Sequence, residues 1–588
     1  MTPKLNGLKW GQMFKKKLNP LFFHQMDGKM SNNISQDQNP WLKNYDDHVY
    51  KKIDYPNITI NQLLINAQEG YSENTFIHFR SEEFTYQLIY RKILILAKKL
   101  SDIGISKGDR IAIVLPNIPQ FIIAYYAILS IGGIVVAMNP RYTEAEFEYL
   151  FKESGATRVI CLDTLAPIIQ PIFEESHSFL LVTTELDDYQ KIKTNINNKN
   201  KNPTFKNKVS FLDLVSDIGP VVLPAKDLVE PNDPAIFQFS GGTTGEPKAA
   251  IGLHRNIVAN VSQFINWCDL KNGEEVILAA IPLYHVYGMV LAMNMAVALG
   301  GKIVLISDPS DVNFILDQIQ ETRVTFYPGV PTMYHAISNN VKAKTENFHL
   351  DSIKACISGS FSLHPSIKER FEQITGGKLI EGYGLSEAPT ATHCNPLLGE
   401  NKTGSIGMPL PDVEARIVDL EEGEKTLLHG EIGEMVVRGP QIMAGYFNKP
   451  DETSLVIRDG WLFTGDIAKM DEDGYFFLVD RKKFLMKVNG LQVWPKEVED
   501  VINSHPKVKE CAVGGIPDPV QGERIVSWIV TKDEEEINLE MIRYWCKQKL
   551  SGYKIPSEVI LTDSIPRTGV GKILRRKLIA GYEGKREV

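Results

Sequence analysis

The densest run of reactive side chains is Ser240-Gly241-Gly242-Thr243-Thr244-Gly245-Glu246-Pro247-Lys248, which sets three hydroxyls, three glycines and a lysine within nine residues. Glycine lets backbone N–H groups turn toward an anion, hydroxyls add donors, and an ammonium adds positive charge. That chemistry suits a polyphosphate; a flexible polar hairpin loop is the plainer alternative. The run is not a Walker loop, which needs G-x-x-x-x-G-K-[ST]. Here Pro247 precedes Lys248 and Ala249 follows it, and Ile573 follows Gly571-Lys572. The preceding Ala235-Ile236-Phe237-Gln238-Phe239 reads as the end of a buried strand.

Four further stretches mix polar groups with apolar surroundings. Pro282-Leu283-Tyr284-His285-Val286-Tyr287-Gly288 holds one histidine, for which a hydrogen-bonded core position is the ordinary explanation. Glu381-Gly382-Tyr383-Gly384-Leu385-Ser386-Glu387 carries two carboxylates, two glycines and a tyrosine. Trp461-Leu462-Phe463-Thr464-Gly465-Asp466 ends in a Gly-Asp turn that serves structure as readily as chemistry. Pro566-Arg567-Thr568-Gly569-Val570-Gly571-Lys572 places a lysine after a Gly-x-Gly arm. None of the four decides a function alone.

Taken together, in this order, these stretches resemble the adenylate-forming superfamily of acyl-CoA synthetases, luciferases and nonribosomal adenylation domains. The resemblance spans residues 45–580 and is strongest to the bacterial long-chain fatty acyl-CoA synthetase branch. The double glycine of Ser240-Gly241-Gly242-Thr243 carries it, with Pro116-Asn117, Asn139-Pro140-Arg141-Tyr142-Thr143 and Val479-Asp480-Arg481-Lys482-Lys483. Such enzymes join a carboxylate to the α-phosphate of ATP, expelling pyrophosphate, and then pass the acyl group to the thiol of CoA. Chemistry of this type needs positioning and charge neutralisation more than covalent help.

The resemblance implies roles residue by residue. Ser240, Gly241, Gly242, Thr243, Thr244, Gly245 and Lys248 would close over the β- and γ-phosphates, with Thr243 among the catalytic groups. Tyr383 would flank the adenine, with Gly382 and Gly384 also in the ATP/AMP site, Asp466 would accept the ribose hydroxyls, and Arg481 would donate nearby. Glu387 would hold Mg²⁺, and Lys572 would bridge the carboxylate and α-phosphate oxygens. His285 gains a catalytic place beside the acyl carboxylate, with Tyr287, Gly288, Val330, Pro331, Gly359 and Phe361 around the acyl chain. In the second half-reaction the C-terminal domain would rotate about Lys483, withdrawing Lys572 and bringing in the face around Lys487 and Gly490.

Some residues depart from the branch's pattern. Phe484-Leu485-Met486 stands where Asp-Met-Ile is usual, Asn489 where Ser is, Trp494 where Tyr is common, and Ala249 where Gly is. Ser360-Phe361-Ser362-Leu363 replaces Gly/Ser-Ala-Pro-Leu, so the Phe361 ring is expected to narrow the acyl pocket. The implied activity is an ATP-, Mg²⁺- and CoA-dependent fatty acid–CoA ligase for medium- to long-chain acids. Two alternatives stay open: adenylation of another acid or transfer to a carrier protein, and a non-catalytic, membrane-associated acyl-binding protein.

The elements that must position these groups follow from length and pattern. At 588 residues the chain is too long for one core. A net charge of −8 disfavours nucleic acid as a partner. Six scattered cysteines without a C-x-x-C read as reduced thiols, and the cytoplasm is the expected compartment. Residues 1–40 read as a basic, flexible leader: lysines interleaved with aromatics suit peripheral contact with anionic lipid at the inner membrane face, or a plain tail. A homodimer is an available assembly. Residues 111–140 carry no charge, yet Pro116, Pro119 and Gly132-Gly133 make them strand, turn, buried helix and strand rather than a span.

The expected fold is α/β. An AMP-binding domain over 41–480 comprises two mainly parallel α/β subdomains (41–230 and 231–400) and a small β-barrel or sandwich (401–480). A mobile α+β domain follows over 481–588. Helices are expected over 91–103, 144–154, 255–268, 312–321 and 331–339, strands over 276–280, 302–306 and 324–326, and a solvated insertion over 191–208.

Overall fold

The structure, a computed structural model, describes residues 39–173, 179–194, 208–216, 228–240, 246–344, 348–518, 520–532, 537–567 and 573–583. The leader apart from its last two residues, the centre of the 191–208 insertion, Gly241–Gly245 of the glycine-rich loop and Lys572 lie outside the described residues.

The charge-free stretch folds as its punctuation predicts. The strand Arg110–Val114 leads to the helix Pro119–Ser130, in which every residue but Ser130 is buried, and then to the strand Ile134–Ala137. A helix apolar on all sides has to be covered on all sides. Among the described residues no helix is long and apolar enough to cross a membrane. The helix Glu144–Ser154 shows how local chemistry sets an element's ends. Thr143 and Glu146 form a reciprocal capping box, and Gly155 closes the helix at φ 65°.

Two sheets dominate the N-terminal part. In the seven-stranded sheet the order is Lys208–Ser210, Leu180–Thr184, Arg158–Leu162, Arg110–Val114, Ile134–Ala137, Pro234–Ser240 and Lys248–Leu253. All its pairs are parallel except the last. The nine-stranded sheet is parallel from Lys378–Leu385 to Thr75–Phe79 and carries antiparallel strands at both edges. One apolar cluster draws on both sheets, so they share a core.

Chain order and sheet membership differ at both ends of the expected subdomains. Thr75–Phe79 and Glu82–Thr85 join the nine-stranded sheet, while Pro234–Ser240 and Lys248–Leu253 complete the seven-stranded one. Periodicity marks a strand but not its partner, so the 230/231 division is corrected by the pairings Ile77↔Ile303 and Val135↔Ile236. The strand expected over 324–326 runs instead over Phe326–Gly329. Pro328 is tolerated there because the neighbour Val276–Ala279 pairs with this strand only at Ile277↔Phe326.

The short β runs after residue 401 form a five-stranded antiparallel sheet of Glu414–Val418, Gly433–Arg438, Trp461–Met470, Ile457–Arg458 and Phe476–Arg481. Beyond it, a second five-stranded sheet and the helices Pro495–Asn503, Leu539–Lys547 and Arg575–Glu583 surround two apolar clusters separate from the main core. Separate cores are what an α+β unit of its own requires.

Candidate active site

The glycine-rich loop connects a β-hairpin. Pro234–Ser240 and Lys248–Leu253 are antiparallel, and Ser240 and Lys248 stand directly opposite each other at its base. Tyr149 Oη donates to Pro247 O at 3.0 Å and braces the described end of the loop. Lys248 is buried; its ammonium forms an ion pair with Glu452 and lies 5.4 Å from the Tyr446 ring centre. Burial, and then the neighbouring Lys449, push Lys248 below the usual lysine range. Glu452 stands in the first turn of Pro450–Val456, where a proline and two acids suit a helix N-terminus.

Glu387 faces the same region. Its Oε1 accepts the Tyr446 hydroxyl at 2.8 Å, and its carbonyl accepts the Met443 N–H at 2.9 Å. Burial and the Glu387 carboxylate push the Tyr446 phenol up. Glu387 is half-buried, and no cluster of three or more metal-ligating side chains occurs among the described residues. One hard carboxylate beside the Ser240–Lys248 hairpin base is a ligand type that would suit Mg²⁺, which takes oxygen ligands and keeps waters.

Tyr383, Asp466 and Arg481 form the best-braced group. Asp466 and Arg481 are direct cross-strand partners, with Arg481 Nε 2.8 Å from Asp466 Oδ1. The Tyr383 hydroxyl donates to Asp466 Oδ2. The Asp466 field raises the Arg481 guanidinium, and burial followed by that carboxylate pushes Tyr383 well up. Glu434, buried one strand away, accepts the Gly465 N–H at 3.1 Å and Lys482 Nζ at 2.8 Å. It thereby fixes the turn before Asp466 and the residue after Arg481. Gly384 permits a close strand crossing, since a Cβ would stand 1.7 Å from Thr390 O.

Tyr383 and Gly384 border a cavity with about 530 Å³ of empty space, part of it open to solvent. His285, Tyr287, Gly359, Ser360, Tyr383 and Gly384 line its polar side, and Phe264, Leu291, Ile357, Leu385 and Ala391 its apolar side. His285 is half-buried and caps the short helix Val286–Gly288 by accepting the Tyr287 N–H on Nδ1 at 3.2 Å. Tyr287 Oη donates to Ile357 O at 2.6 Å and lies 3.1 Å from Gly329 O, which fixes the ring across the cavity. Gly359 lies against that ring, where a Cβ would meet Cε1 at 3.1 Å.

Four expected acyl-pocket residues are not among those lining this cavity. Gly288 packs on the backbone, where a Cβ would meet Pro282 O at 2.4 Å; Val330 and Pro331 begin the helix Pro331–Asn339; Phe361 is half-buried beyond Ser360. Ser360 has φ 75°, which turns the chain between the cavity wall and Phe361.

The expected thioester face is separate. Lys487 and Gly490 lie on the hairpin Met486–Val488 and Leu491–Val493, joined by the two-residue turn Asn489-Gly490. Both turn residues have positive φ, 51° and 77°, as a type I′ hairpin turn demands. This accounts for Asn489, and nothing stands within 4 Å of a Cβ built on Gly490. Lys483 is exposed in the short helical turn Lys482–Phe484, its ammonium 5.3 Å from the Phe484 ring centre. Tyr446, Glu452 and Glu434 were not singled out in the sequence, because no spacing or local motif sets them apart.

The AMP-binding enzyme family profile matches residues 65–447, and that of the AMP-binding enzyme C-terminal domain matches residues 497–572. The chain belongs to the AMP-binding enzyme family. This AMP-binding enzyme is 38% identical over 555 residues to a long-chain-fatty-acid–CoA ligase of Bacillus subtilis (strain 168), covering 92% of this chain and 98% of that one. A long-chain-fatty-acid–CoA ligase of Salmonella typhimurium (strain LT2) is 34% identical, covering 93% and 98%. ATP-bound MatB from Rhodopseudomonas palustris superposes with a TM-score of 0.78 at 26% identity, covering 90% of this AMP-binding enzyme and 99% of MatB. Apo MatB, at the same identity and coverage, gives 0.67.

Proposed function

We propose that this AMP-binding enzyme is a fatty acid–CoA ligase for medium- to long-chain acids. It joins the acid to AMP with release of pyrophosphate, then transfers the acyl group to CoA with release of AMP. The observation that carries the reading is the meeting, at one cavity, of an apolar wall with His285 and Tyr383, whose hydroxyl is held by the Asp466–Arg481 pair. The names of the relatives, matched over nearly their whole length, support the substrate class.

In the first half-reaction Asp466 accepts the ribose hydroxyls while Arg481 holds its carboxylate in place. Tyr383 presents its ring to the adenine and keeps its hydroxyl on Asp466. His285, fixed through Nδ1, turns its other ring nitrogen toward the acid's carboxylate. Glu387 would hold Mg²⁺, which supplies charge neutralisation on the phosphates. The hairpin loop 240–248 closes over the β- and γ-phosphates, and Lys572 meets the negative charge that grows between carboxylate and α-phosphate. The acyl chain runs between Tyr287, Leu291 and Phe264. Each buried methylene adds about 0.8 kcal/mol, so binding strengthens with chain length until the pocket ends.

The second half-reaction uses the C-terminal part, 481–588, turned about Lys483 against 41–480, so that Lys487 and Gly490 face the acyl-adenylate. The unequal fit of ATP-bound and apo MatB to this one chain supports a jointed architecture, because those two structures of one relative must differ in arrangement. Residues 1–40 add peripheral contact with anionic lipid, testable by vesicle co-sedimentation with and without the leader.

The direct test is AMP release from Mg-ATP with straight-chain acids from acetate to stearate, each with and without CoA. CoA-dependent release that rises toward longer chains is expected. Release without a CoA requirement, or with aryl acids alone, contradicts the assignment.

A further inference from the structure

Asp480 stands one residue before Arg481 and three before Lys483, at the end of the strand Phe476–Arg481. Both of its carboxylate oxygens are engaged. Oδ1 accepts the N–H of Arg481 at 2.7 Å, and Oδ2 accepts the N–H of Lys496 at 2.8 Å. The first bond fixes the backbone of the residue whose guanidinium holds Asp466. The second reaches past Lys483 to the first turn of the helix Pro495–Asn503.

That helix lacks a cap of its own, since its N-cap residue, Trp494, makes no side-chain capping bond. First-turn N–H groups have no partner inside a helix and carry the positive end of its dipole. Asp480 therefore supplies from the other side of Lys483 what Trp494 lacks. The surroundings are charged on the C-terminal side. Arg575, the first residue of Arg575–Glu583, contacts both oxygens of Glu499 at 2.7 Å and lies 4.8 Å from the Phe484 ring centre. Its positive field also acts on Asp480 and opposes the burial cost of that carboxylate. Arg575 also offsets the repulsion that Asp480 exerts on Glu499.

We propose that Asp480 is a positioning residue that clasps the C-terminal part to the nucleotide site, so that adenylation depends on it and thioester formation does not. The proposal rests on the two half-reactions of the function given above. The arrangement in which the clasp is made is the one that fits ATP-bound MatB more closely than apo MatB.

The test compares the full-length enzyme with Asp480→Asn, which keeps the side chain's size but turns one acceptor into a donor, and with Asp480→Glu, which keeps two acceptors. Limited trypsin cleavage after the exposed Lys482 and Lys483 reads the joint without any activity. ATP–pyrophosphate exchange and CoA consumption from supplied acyl-AMP read the half-reactions, and Tm reads stability. In Asp480→Asn, cleavage is expected to be several-fold faster. Exchange should fall roughly tenfold or more, the scale of a lost charge-assisted hydrogen bond. Thioester formation should stay within about twofold. Asp480→Glu is expected to recover most of the exchange. Wild-type cleavage and an unchanged ratio of half-reactions overturn the clasp, as does a parallel fall of both half-reactions with Tm. If the wild type itself lacks the half-reactions, the functional assignment fails, while the cleavage comparison still decides whether the clasp exists.

Discussion

The proposed nucleotide side and the C-terminal hairpin are built on opposite plans. On the nucleotide side each polar group sits on or beside a strand and is held by another side chain: Asp466 by Tyr383 and Arg481, Glu387 by Tyr446, Lys248 by Glu452. Around Lys487 and Gly490 it is backbone N–H groups that are held instead, that of Lys487 by the Glu523 carboxylate at 2.6 Å and that of Asn489 by Gln521 O at 2.8 Å. The outer side chains stay exposed. Cross-bracing in a buried setting fixes charge before substrate arrives, which phosphoryl chemistry rewards. An exposed hairpin on a separate core suits the proposed rotation, in which its face is presented as a unit. The contrast predicts that substitutions on the two sides separate the half-reactions.

The largest effect is expected at Asp466. Asp466→Ala strands the Arg481 guanidinium and the Tyr383 hydroxyl, and adenylation should fall by roughly 10²–10³, the scale seen when a preorganised polar partner is removed. Acyl-AMP keeps the ribose, so the second half-reaction should weaken too, through a higher KM for supplied acyl-AMP. Wild-type KM there contradicts ribose recognition by Asp466. A smaller effect, confined to one side, is expected for Gly490→Val. A β-branched residue at φ 77° costs about 1–2 kcal/mol. Thioester formation should drop about tenfold while pyrophosphate exchange stays within about twofold. Equal loss in both assays removes the distinction between the two faces.

The smallest effect concerns stability. Burial pushes the Glu381 carboxyl from 4.5 up to about 8. Folded Glu381 therefore keeps its proton through a range in which the unfolded chain has lost it. The stability of that arrangement is complete below pH 4.5 and is lost as pH rises toward about 8, at a slope of up to about 1.4 kcal/mol per pH unit. Glu381→Gln cannot ionise, so its Tm should gain on the wild type by a few degrees across this range. A pH-independent difference shows that Glu381 ionises normally.

Much of the proposed site was legible in the sequence because its residues come in short runs that, taken together and in order, resemble one family. Gly384 could not carry a Cβ beside Thr390, and the Ser240–Lys248 run closes a hairpin as its composition suggests. Residues that support the site from a distance were not legible. Tyr446, Glu452 and Glu434 are single polar residues whose partners lie 59, 204 and 31 positions away or are reached only through sheet pairing, and no local pattern marks them. The same limit explains the exchanged strands at residues 75–85 and 234–253, since pattern shows that a segment is a strand and leaves its neighbours open. Asn489 looked like a departure from the family's pattern. Its positive φ, paired with that of Gly490, shows it to be turn chemistry instead.

The most direct test of a ligase with two alternating faces is to measure both half-reactions in Lys572→Ala. ATP–pyrophosphate exchange should be crippled, whereas CoA should still consume supplied acyl-AMP at close to the wild-type rate. Equal loss of the two half-reactions would contradict the account.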